Sequence, residues 1–368
     1  MSPFPFRRSM FLLALLSSVF WASSCATSST EGADVKPLTG DEAREFLPYE
    51  NTLAVSSSMR SFTLPLNNPG VVPADQATHM EEEDLVAGVV VDGQARAYPR
   101  WILVKYHVVN DTINEEPILI AHCEICSGTS AFRPVVDGFG GRSLIFDTYG
   151  PAKGTFSVYD YQTHTVWSPF TGRTLEGTLH DTSMKRIPVM VERWGTWVKR
   201  FPKTDVVFAS RLLIEQEDHG RGEHNEIGAE YIPKGFQTVA NMEDTRLERN
   251  QLVFGIANVN GDEAVAFPLD FLERQAKGLS FELDGSHYFI RKIGEFGVAA
   301  FRLEEGQMDQ TYQAVMETPF RFEDDRGGSW DEFGNALTEG TSDLAIADGY
   351  LTEWYEWVSS YPRSEIVS

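Results

Sequence analysis

The 368-residue sequence predicts an α+β fold that is rich in β-strands and consists of two structurally related halves. Three observations support this prediction. Short apolar segments bounded by turn residues outnumber helical patterns. Several segments recur later in the chain in the same order. Apolar residues make up 42% and charged residues 23% of the chain, which is the balance of a protein that buries a core.

The predicted strands are apolar segments that end at turn residues. They are Leu85–Val91, Pro117–Ala121, Ala131–Val136, Leu144–Phe146, Phe156–Tyr159 and Val206–Ala209. Two further segments predict helices: Pro99–His107, with proline at the permitted first position, and Trp194–Phe201.

Two pairs of matching segments predict the related halves. The hairpin pattern over Leu85–Pro99 recurs over Leu252–Pro268, each with an Asp-Gly or Asn-Gly turn between its strands. A pattern of helix, proline stop and strand over Trp197–Val207 recurs over Trp357–Val367. We therefore predict that an internal duplication produced two repeats. The first spans 80–210, a joiner covers 211–247, and the second spans 248–368.

The N-terminal segment has the pattern of an export signal. Two arginines precede an apolar run over 10–21, which is too short to span a bilayer comfortably, and small residues follow. The Ala-Ser-Ser-Cys sequence ending at Cys25 resembles the lipobox of bacterial lipoproteins, although Ala22 stands where Leu is preferred. We expect a signal peptide over 1–24 and a polar tether over 25–50.

This pattern predicts location and one partner. Cleavage would leave Cys25 as a lipidated first residue, so we expect an exported protein of the periplasm or cell envelope, held at a membrane by its lipid anchor. A soluble exported protein with an incidental Cys25 is the alternative. Nucleic acid is excluded as a partner, because 31 basic against 54 acidic residues give a net charge of −23.

The first half alone contains paired cysteines, Cys123 and Cys126, which follow an apolar strand. Two sulfurs three residues apart on a turn suit either a shared metal ion or a mutual disulfide. His107, from the preceding helix, is the predicted third group. His122 is a weaker candidate, because neighbours on a strand point to opposite faces.

Several cofactors are excluded by the same sequence. A c-type haem requires a His after the second cysteine, where Ser127 stands. A nucleotide would require a glycine-rich loop between a strand and a helix, and the sequence has none. Thiolate and imidazole donors favour copper or zinc, so these are the expected cofactors if a metal is bound.

Taken together, these residues resemble the family called domain of unknown function 3179, over roughly residues 80–368. The matching residues are Ala97-Tyr98-Pro99, His107, Val109-Asn110-Asp111, Cys123, Cys126, Tyr159-Asp160, Thr163, Trp167 and Arg246-Leu247. The chain has Val108 where the family usually has Glu, Glu124-Ile125 where it has Pro-Leu, and His122 where an aromatic residue is frequent. The resemblance implies an architecture but no known reaction.

Three functions remain open from the sequence. The first is an envelope protein with a copper or zinc site formed by Cys123, Cys126 and His107, with His122 as a fourth group, and with oxidoreductase activity. The second is thiol–disulfide redox chemistry at the two cysteines. The third is a non-enzymatic, lipid-tethered binding module with a structural disulfide. The sequence identifies no catalytic residues, substrate or protein partner.

Overall fold

The computed structural model describes four stretches of the chain, residues 64–208, 232–258, 263–315 and 320–368. They form 25 strands and five α-helices, which confirms the β-rich prediction. No helix in these stretches is long and apolar enough to cross a membrane. The predicted signal peptide, Cys25, the tether and the start of the joiner lie outside the described residues.

The described chain up to residue 208 contains fourteen strands and two helices. The strands are β1 (Leu66–Asn67), β2 (Gly70–Pro73), β3 (Leu85–Val91), β4 (Gln94–Pro99), β5 (Val108–Ile113), β6 (Glu116–Cys123), β7 (Gly128–Arg133), β8 (Phe146–Ala152), β9 (Thr155–Asp160), β10 (Val166–Trp167), β11 (Thr174–Glu176), β12 (Lys185–Ile187), β13 (Met190–Arg193) and β14 (Asp205–Phe208). The helices are α1 (Arg100–Tyr106) and α2 (Trp194–Arg200).

The described chain from residue 232 onwards contains eleven strands and three helices. The strands are β15 (Leu252–Ala257), β16 (Ala264–Pro268), β17 (Leu279–Leu283), β18 (Ser286–Ile293), β19 (Gly297–Leu303), β20 (Tyr312–Val315), β21 (Arg321–Asp324), β22 (Ser329–Trp330), β23 (Ala345–Ile346), β24 (Gly349–Glu353) and β25 (Glu365–Ile366). The helices are α3 (Val239–Glu243), α4 (Leu269–Arg274) and α5 (Trp354–Ser360).

Six sheets form from these strands. Their strand orders are β13-β3-β4-β14-β2 (sheet 1), β1-β5-β6-β7-β12 (sheet 2), β11-β10-β9-β8 (sheet 3), β24-β15-β16-β25 (sheet 4), β17-β18-β19-β23 (sheet 5) and β20-β21-β22 (sheet 6). Sheets 1 and 4 share an arrangement of four strands. In sheet 1, the hairpin β3-β4 lies between β13, which is antiparallel to β3 and leads into α2, and β14, which follows α2 and is parallel to β4. In sheet 4, β24, the hairpin β15-β16, α5 and β25 have the same arrangement.

Two predicted strands differ in position. The segment Ala131–Val136 was expected to be a strand, but β7 covers Gly128–Arg133 and ends before Pro134, which has no amide hydrogen to donate to the ladder. The segment Leu144–Phe146 was expected to be a strand, but β8 starts at Phe146 and continues to Ala152. Gly150 and Pro151 are turn residues in the sequence, yet they lie within β8. Proline is tolerated there because β8 is an edge strand of sheet 3, and its register with β9 shifts between Thr148 and Pro151.

Two tryptophans fix the helices against these sheets. The ring of Trp197, on α2, lies against Gly88 in β3, where a Cβ atom would be 2.3 Å from the ring. The ring of Trp357, on α5, lies against Gly255 in β15, where a Cβ atom would be 2.2 Å away. Only glycine permits this close approach, so the packing of each tryptophan ring fixes the position of its helix on the sheet.

The buried cores contain residues from both ends of the chain. One core cluster contains Cys123, Cys126 and Phe156 together with Trp354 and Tyr355 from α5. A second contains Trp197 of α2 together with Phe289 and Phe301 from β18 and β19. Each cluster therefore joins a helix to residues from the other part of the chain, and the cysteines lie among side chains from both parts.

Candidate functional site

The two cysteines lie on the tight turn between β6 and β7, here called the Cys turn (Cys123–Gly128). Cys123 pairs with Gly128 at the end of the ladder, and the backbone of Ser127 turns with a φ of 54°. The amide of Cys126 donates a hydrogen bond to Cys123 Sγ at 3.4 Å. Both are free thiols, and their residues are only 3% and 0% exposed. The turn therefore brings the two sulfurs together in the protein interior.

The C-terminal part of the chain holds this turn in place. The carbonyl oxygen of Cys126 accepts hydrogen bonds from the Glu353 amide and the Thr352 hydroxyl, both at 3.0 Å. The Ser127 hydroxyl donates to Glu353 Oε1 at 2.9 Å. Thr352 and Glu353 end β24, and α5 begins at the next residue. The position of the Cys turn is thus coupled directly to the start of α5.

The two sulfurs have different electrostatic surroundings. Burial, the neighbouring Cys123 sulfur and the Glu356 carboxylate hold the pKa of the Cys126 thiol well above its ordinary value. Burial lowers the pKa of Arg100, and electrostatic interactions with the Glu124 and Glu353 carboxylates and with the Cys123 sulfur oppose this. The Cys123 sulfur therefore interacts with a cation, and the Cys126 sulfur interacts with a carboxylate.

Two side chains of α5 extend the site. Burial raises the pKa of Glu356 to about 7, against hydrogen bonds from Ser360 and Tyr350. Its Oε1 atom accepts these bonds at 3.2 Å and 3.4 Å, while Oε2 is buried and has no hydrogen-bond partner. The buried Tyr355 hydroxyl also has none, and burial and the sulfurs of Cys126 and Cys123 raise its pKa well above 10. Buried polar atoms without a partner are uncommon in folded proteins.

His107 ends α1 with a φ of 56° and turns the chain into β5. Its Nδ1 atom is 3.1 Å from the His122 carbonyl oxygen, which can only accept, so Nδ1 donates and Nε2 carries the lone pair. Burial lowers the pKa of His107, against this hydrogen bond and the Glu124 carboxylate, and so favours the neutral ring. The ring lies 6.0 Å from that of Phe156, which belongs to the core cluster of the two cysteines.

His122 is fully enclosed and has a different setting. Its Nδ1 atom is 2.9 Å from Thr129 Oγ1 across the β6–β7 ladder. Within the described residues, no group of three or more His, Cys, Asp or Glu side chains is arranged to hold a metal ion. The structure thus pairs Cys123 with Cys126, places His107 beside their core cluster and holds His122 on Thr129.

Other residues of the sequence motifs have structural partners. The Asp111 carboxylate accepts from Arg96 at 2.8 Å and from the Tyr98 hydroxyl at 2.7 Å. The Asp160 carboxylate accepts from the Trp167 indole at 2.9 Å and from the Thr163 hydroxyl at 2.7 Å. These carboxylates satisfy buried donors and hold loops. The cysteines and His107 are therefore the motif residues available for chemistry.

Sequence reasoning missed the residues that the second half contributes. It assigned the site to the first half because only that half has cysteines. The informative signal was a comparison of the two tryptophan-containing helices. Helix α2 reads Trp194-Gly-Thr-Trp197, whereas α5 reads Trp354-Tyr-Glu-Trp357. Between tryptophans at matching positions, α5 therefore has the ionisable residues Tyr355 and Glu356 where α2 has Gly and Thr. Helix α5 packs on the Cys turn.

The fold and this site define a β-rich protein with a buried Cys-x-x-Cys turn that is hydrogen-bonded to the strand leading into α5. The chain belongs to the family described as "protein of unknown function (DUF3179)", whose match covers residues 65–364. This confirms the family expected from the sequence. Neither the curated proteins nor the solved structures contain a match.

Proposed function

We propose that the protein is a thiol–disulfide oxidoreductase whose redox centre is Cys123 and Cys126. The observation that carries the proposal is the pairing of two free thiols on one turn, with the Cys126 amide 3.4 Å from Cys123 Sγ. An amide N–H directed at a sulfur favours the negative charge of a thiolate, and the spacing suits a mutual disulfide.

The unequal surroundings of the sulfurs suit the two roles in such a reaction. Arg100 carries a positive charge that interacts electrostatically with the Cys123 sulfur, which supports Cys123 as the attacking group. Cys126 is completely buried and its raised pKa keeps it protonated, which suits the second, resolving thiol. The Cys turn also reaches the surface, because Glu124 is exposed and Ile125 is only half-buried. A substrate disulfide would approach from this side.

The proposed reaction balances in two steps. The Cys123 thiolate attacks a substrate disulfide, which forms a mixed disulfide and releases one substrate thiolate. The Cys126 thiol then loses its proton, and its sulfur attacks Cys123 Sγ. The Cys123–Cys126 disulfide forms and the second substrate thiolate leaves, so the protein loses two electrons and the substrate gains two. The released thiolates take up protons from water, and the reverse sequence oxidises a substrate dithiol.

Trapping the mixed disulfide tests this proposal. The full chain carrying Cys25→Ser is treated with oxidised glutathione, alone and with Cys123→Ser or Cys126→Ser added, and the adducts are measured by mass spectrometry. We expect a stable glutathione adduct on Cys123 in the Cys126→Ser protein and none on Cys126 in the Cys123→Ser protein. An unmodified Cys123 in every variant, with no internal disulfide in the parent, would end the proposal.

A copper or zinc centre is the second candidate, and one observation favours it. Nδ1 of the neutral His107 ring donates a hydrogen bond to the His122 carbonyl oxygen, so the lone pair of Nε2 is available to bind a metal ion. Metal-binding imidazoles are usually oriented in this way. Cys123, Cys126 and His107 would supply the donors, with His122 as the weaker fourth. Chemistry at such a centre would be that of a soft-metal oxidoreductase.

Metal analysis separates the two candidates. The protein is purified without chelator, and copper and zinc are measured in the parent and in Cys123→Ser. About one metal ion per chain in the parent and none in the variant would support the metal centre. Equal contents in both would remove it. The third interpretation, a non-enzymatic binding module with a structural disulfide, predicts a large loss of thermal stability on reduction of a protein that holds no metal.

The internal duplication is also proposed. Its first support is the strand order that sheets 1 and 4 share. Its second support is the equivalent packing of Trp197 against Gly88 and of Trp357 against Gly255. The indoles of these tryptophans also donate to equivalent hydroxyls, Thr204 at 3.0 Å and Ser364 at 2.8 Å. An experimental structure tests this. The repeats 80–210 and 248–368 should superpose strand for strand, and a different strand order in the second would refute it.

Export and lipid anchoring remain proposals that rest on the sequence of residues 1–25. A lipidated Cys25 would place the redox centre in the periplasm or cell envelope, where disulfides persist. Expression with labelled fatty acid, compared between the parent and Cys25→Ser, tests this. Label and membrane association should disappear together in the variant. An unlabelled parent that stays in the soluble fraction would refute the anchor.

A further inference from the structure

We propose that the free edge of β12 binds an extended peptide segment that carries two adjacent acidic residues. This proposal does not depend on the chemistry of the two cysteines. β12 is the last strand of sheet 2, so within the described residues one of its edges has no partner strand. The backbone N–H and C=O groups of such an edge can pair with an added strand, which is a recurring mode of peptide binding.

A groove of about 610 Å³ lies beside this strand. Its lining includes residues 183–188, which contain the whole of β12, and both residues of β23, the last strand of sheet 5. Consecutive residues of a strand point to opposite faces, so a groove lined by all of β12 runs past its edge rather than over one face. Its volume is in the usual range of binding clefts, about 300–1,000 Å³.

The groove is rich in cations, although the chain as a whole has a net charge of −23. Lys185 and Arg186 are consecutive in β12 and therefore lie on opposite faces of sheet 2. Arg133 lies directly opposite Lys185 in the β7–β12 ladder. Arg173 and Arg186 form ion pairs with the same carboxylate, that of Asp348. A pair of cations is thus present on each side of the β12 edge.

On the first side, Lys185 is the cation that needs an anionic partner. Its side chain is exposed, and no carboxylate of the described stretches pairs with it. Its neighbour Arg133 already pairs with Glu116. Like charges directly opposite each other in a ladder repel, so an acidic side chain placed beside Lys185 would stabilise this part of the sheet.

On the second side, the protein itself binds a carboxylate in the groove. Asp348 Oδ1 is 2.9 Å from Arg186 Nε, and Asp348 Oδ2 is 3.2 Å from Arg173 Nη2. The Arg186 guanidinium lies 4.9 Å from the ring centre of Phe132, which helps to fix its orientation. In the described part of the chain its Nη1 group has no hydrogen-bond partner. Arg186 therefore retains donors for a second carboxylate.

These positions define the partner. In a strand added to β12, two adjacent acidic residues would point to opposite faces, one towards Lys185 and the other towards Arg186. Backbone pairing would supply affinity, and the cations would select for acidic strands, because charged side chains on an edge discourage pairing with other strands. Threonine and valine flanking the acidic pair would favour the extended conformation.

Binding of synthetic peptides tests the proposal. A fluorescein-labelled octapeptide with two central glutamates between threonine and valine residues, the diglutamate peptide, is titrated with the full chain carrying Cys25→Ser. Fluorescence anisotropy gives the Kd. One control peptide has glutamine in place of both glutamates, and the other has N-methyl groups on both glutamate amides, one of which must face β12. We expect each control to bind about tenfold more weakly than the diglutamate peptide.

Variants of the protein locate the binding. Lys185→Glu should weaken the diglutamate peptide about tenfold without changing the urea midpoint. Lys203→Glu makes the same charge change at an exposed lysine outside the groove and should keep the parental Kd. Asp348→Asn should bind the peptide more tightly, because both guanidinium groups become available to it.

Three results would overturn the proposal. They are a lack of saturable binding to the diglutamate peptide, equal Kd values for the three peptides, and a parental Kd in Lys185→Glu. Glutarate is added as a competitor to distinguish a small anion from a strand. Displacement by glutarate together with full binding of the N-methylated peptide would assign the groove to small organic anions and would also overturn the proposal. Should Asp348→Asn not fold, Lys185→Glu decides alone.

Discussion

The Ser127 hydroxyl donates to Glu353 Oε1 across 2.9 Å, and this bond joins residues 226 positions apart. It connects the turn that carries the two cysteines to the strand that leads into α5. Because Glu356 lies on that helix, the bond also sets the distance between the cysteines and the buried carboxyl. The candidate site is therefore assembled by the tertiary fold from two distant segments.

Removal of this hydroxyl should weaken the fold. In Ser127→Ala a buried donor to a carboxylate is lost, and hydrogen bonds to charged groups contribute about 1.5–3 kcal/mol. We expect the free energy of unfolding in urea to fall by that amount. Ser143→Ala is the control, because the Ser143 hydroxyl donates only to the neighbouring Leu144 carbonyl oxygen. Equal stabilities of the two variants would show that the bond does not hold the turn.

The packing of Trp357 against Gly255 gives a second prediction. An added methyl group in Gly255→Ala would lie 2.2 Å from the indole ring, so α5 must shift or the sheet must open. Overpacking of this kind costs about 1–3 kcal/mol, which should appear as a lower urea midpoint. At Gly70 an added Cβ atom meets nothing within 4 Å, so Gly70→Ala should leave the midpoint nearly unchanged. A Gly255→Ala protein as stable as Gly70→Ala would contradict the packing.

Glu356 should make stability depend on pH. Its pKa rises from 4.5 to about 7 on folding, so between these values the folded protein holds a proton that the unfolded chain has lost. Stability from this group is complete below about pH 4.5 and is lost as pH rises through about 7. The total loss is on the order of 3 kcal/mol. Urea unfolding of the parent and Glu356→Gln across this range measures it. The difference between the two proteins should change with pH, and a constant difference would refute the buried carboxyl.

Local patterns predicted much of the fold. The strand Leu85–Val91 has the predicted bounds, and both predicted helices are present, shortened by one residue at one or both ends. These elements follow from alternation, β-branched residues and proline stops, which depend on neighbours in the chain. The strand β8 was misplaced because Gly150 and Pro151 indicate a turn. Its position at a sheet edge, which permits them, is a tertiary property.

The candidate site was predicted only in part. The cysteines were found because their spacing is itself a chemical pattern. Glu356 and Tyr355 were not, because their role depends on packing between distant segments and on burial, which no local window contains. Burial is what raises the pKa of a glutamate to about 7, and in the sequence Glu356 is one more acidic residue in a strongly acidic chain.

The reduction potential of the Cys123–Cys126 couple tests the central claim most directly. The full chain with Cys25→Ser is equilibrated in dithiol–disulfide buffers of known potential, quenched, and its free thiols are counted by mass spectrometry. Redox function predicts that both thiols disappear together in one reversible two-electron transition above about −300 mV, the range of exchangeable rather than structural disulfides. Two thiols that stay free across the whole series, or a disulfide that forms and is reduced only below that value, would contradict it.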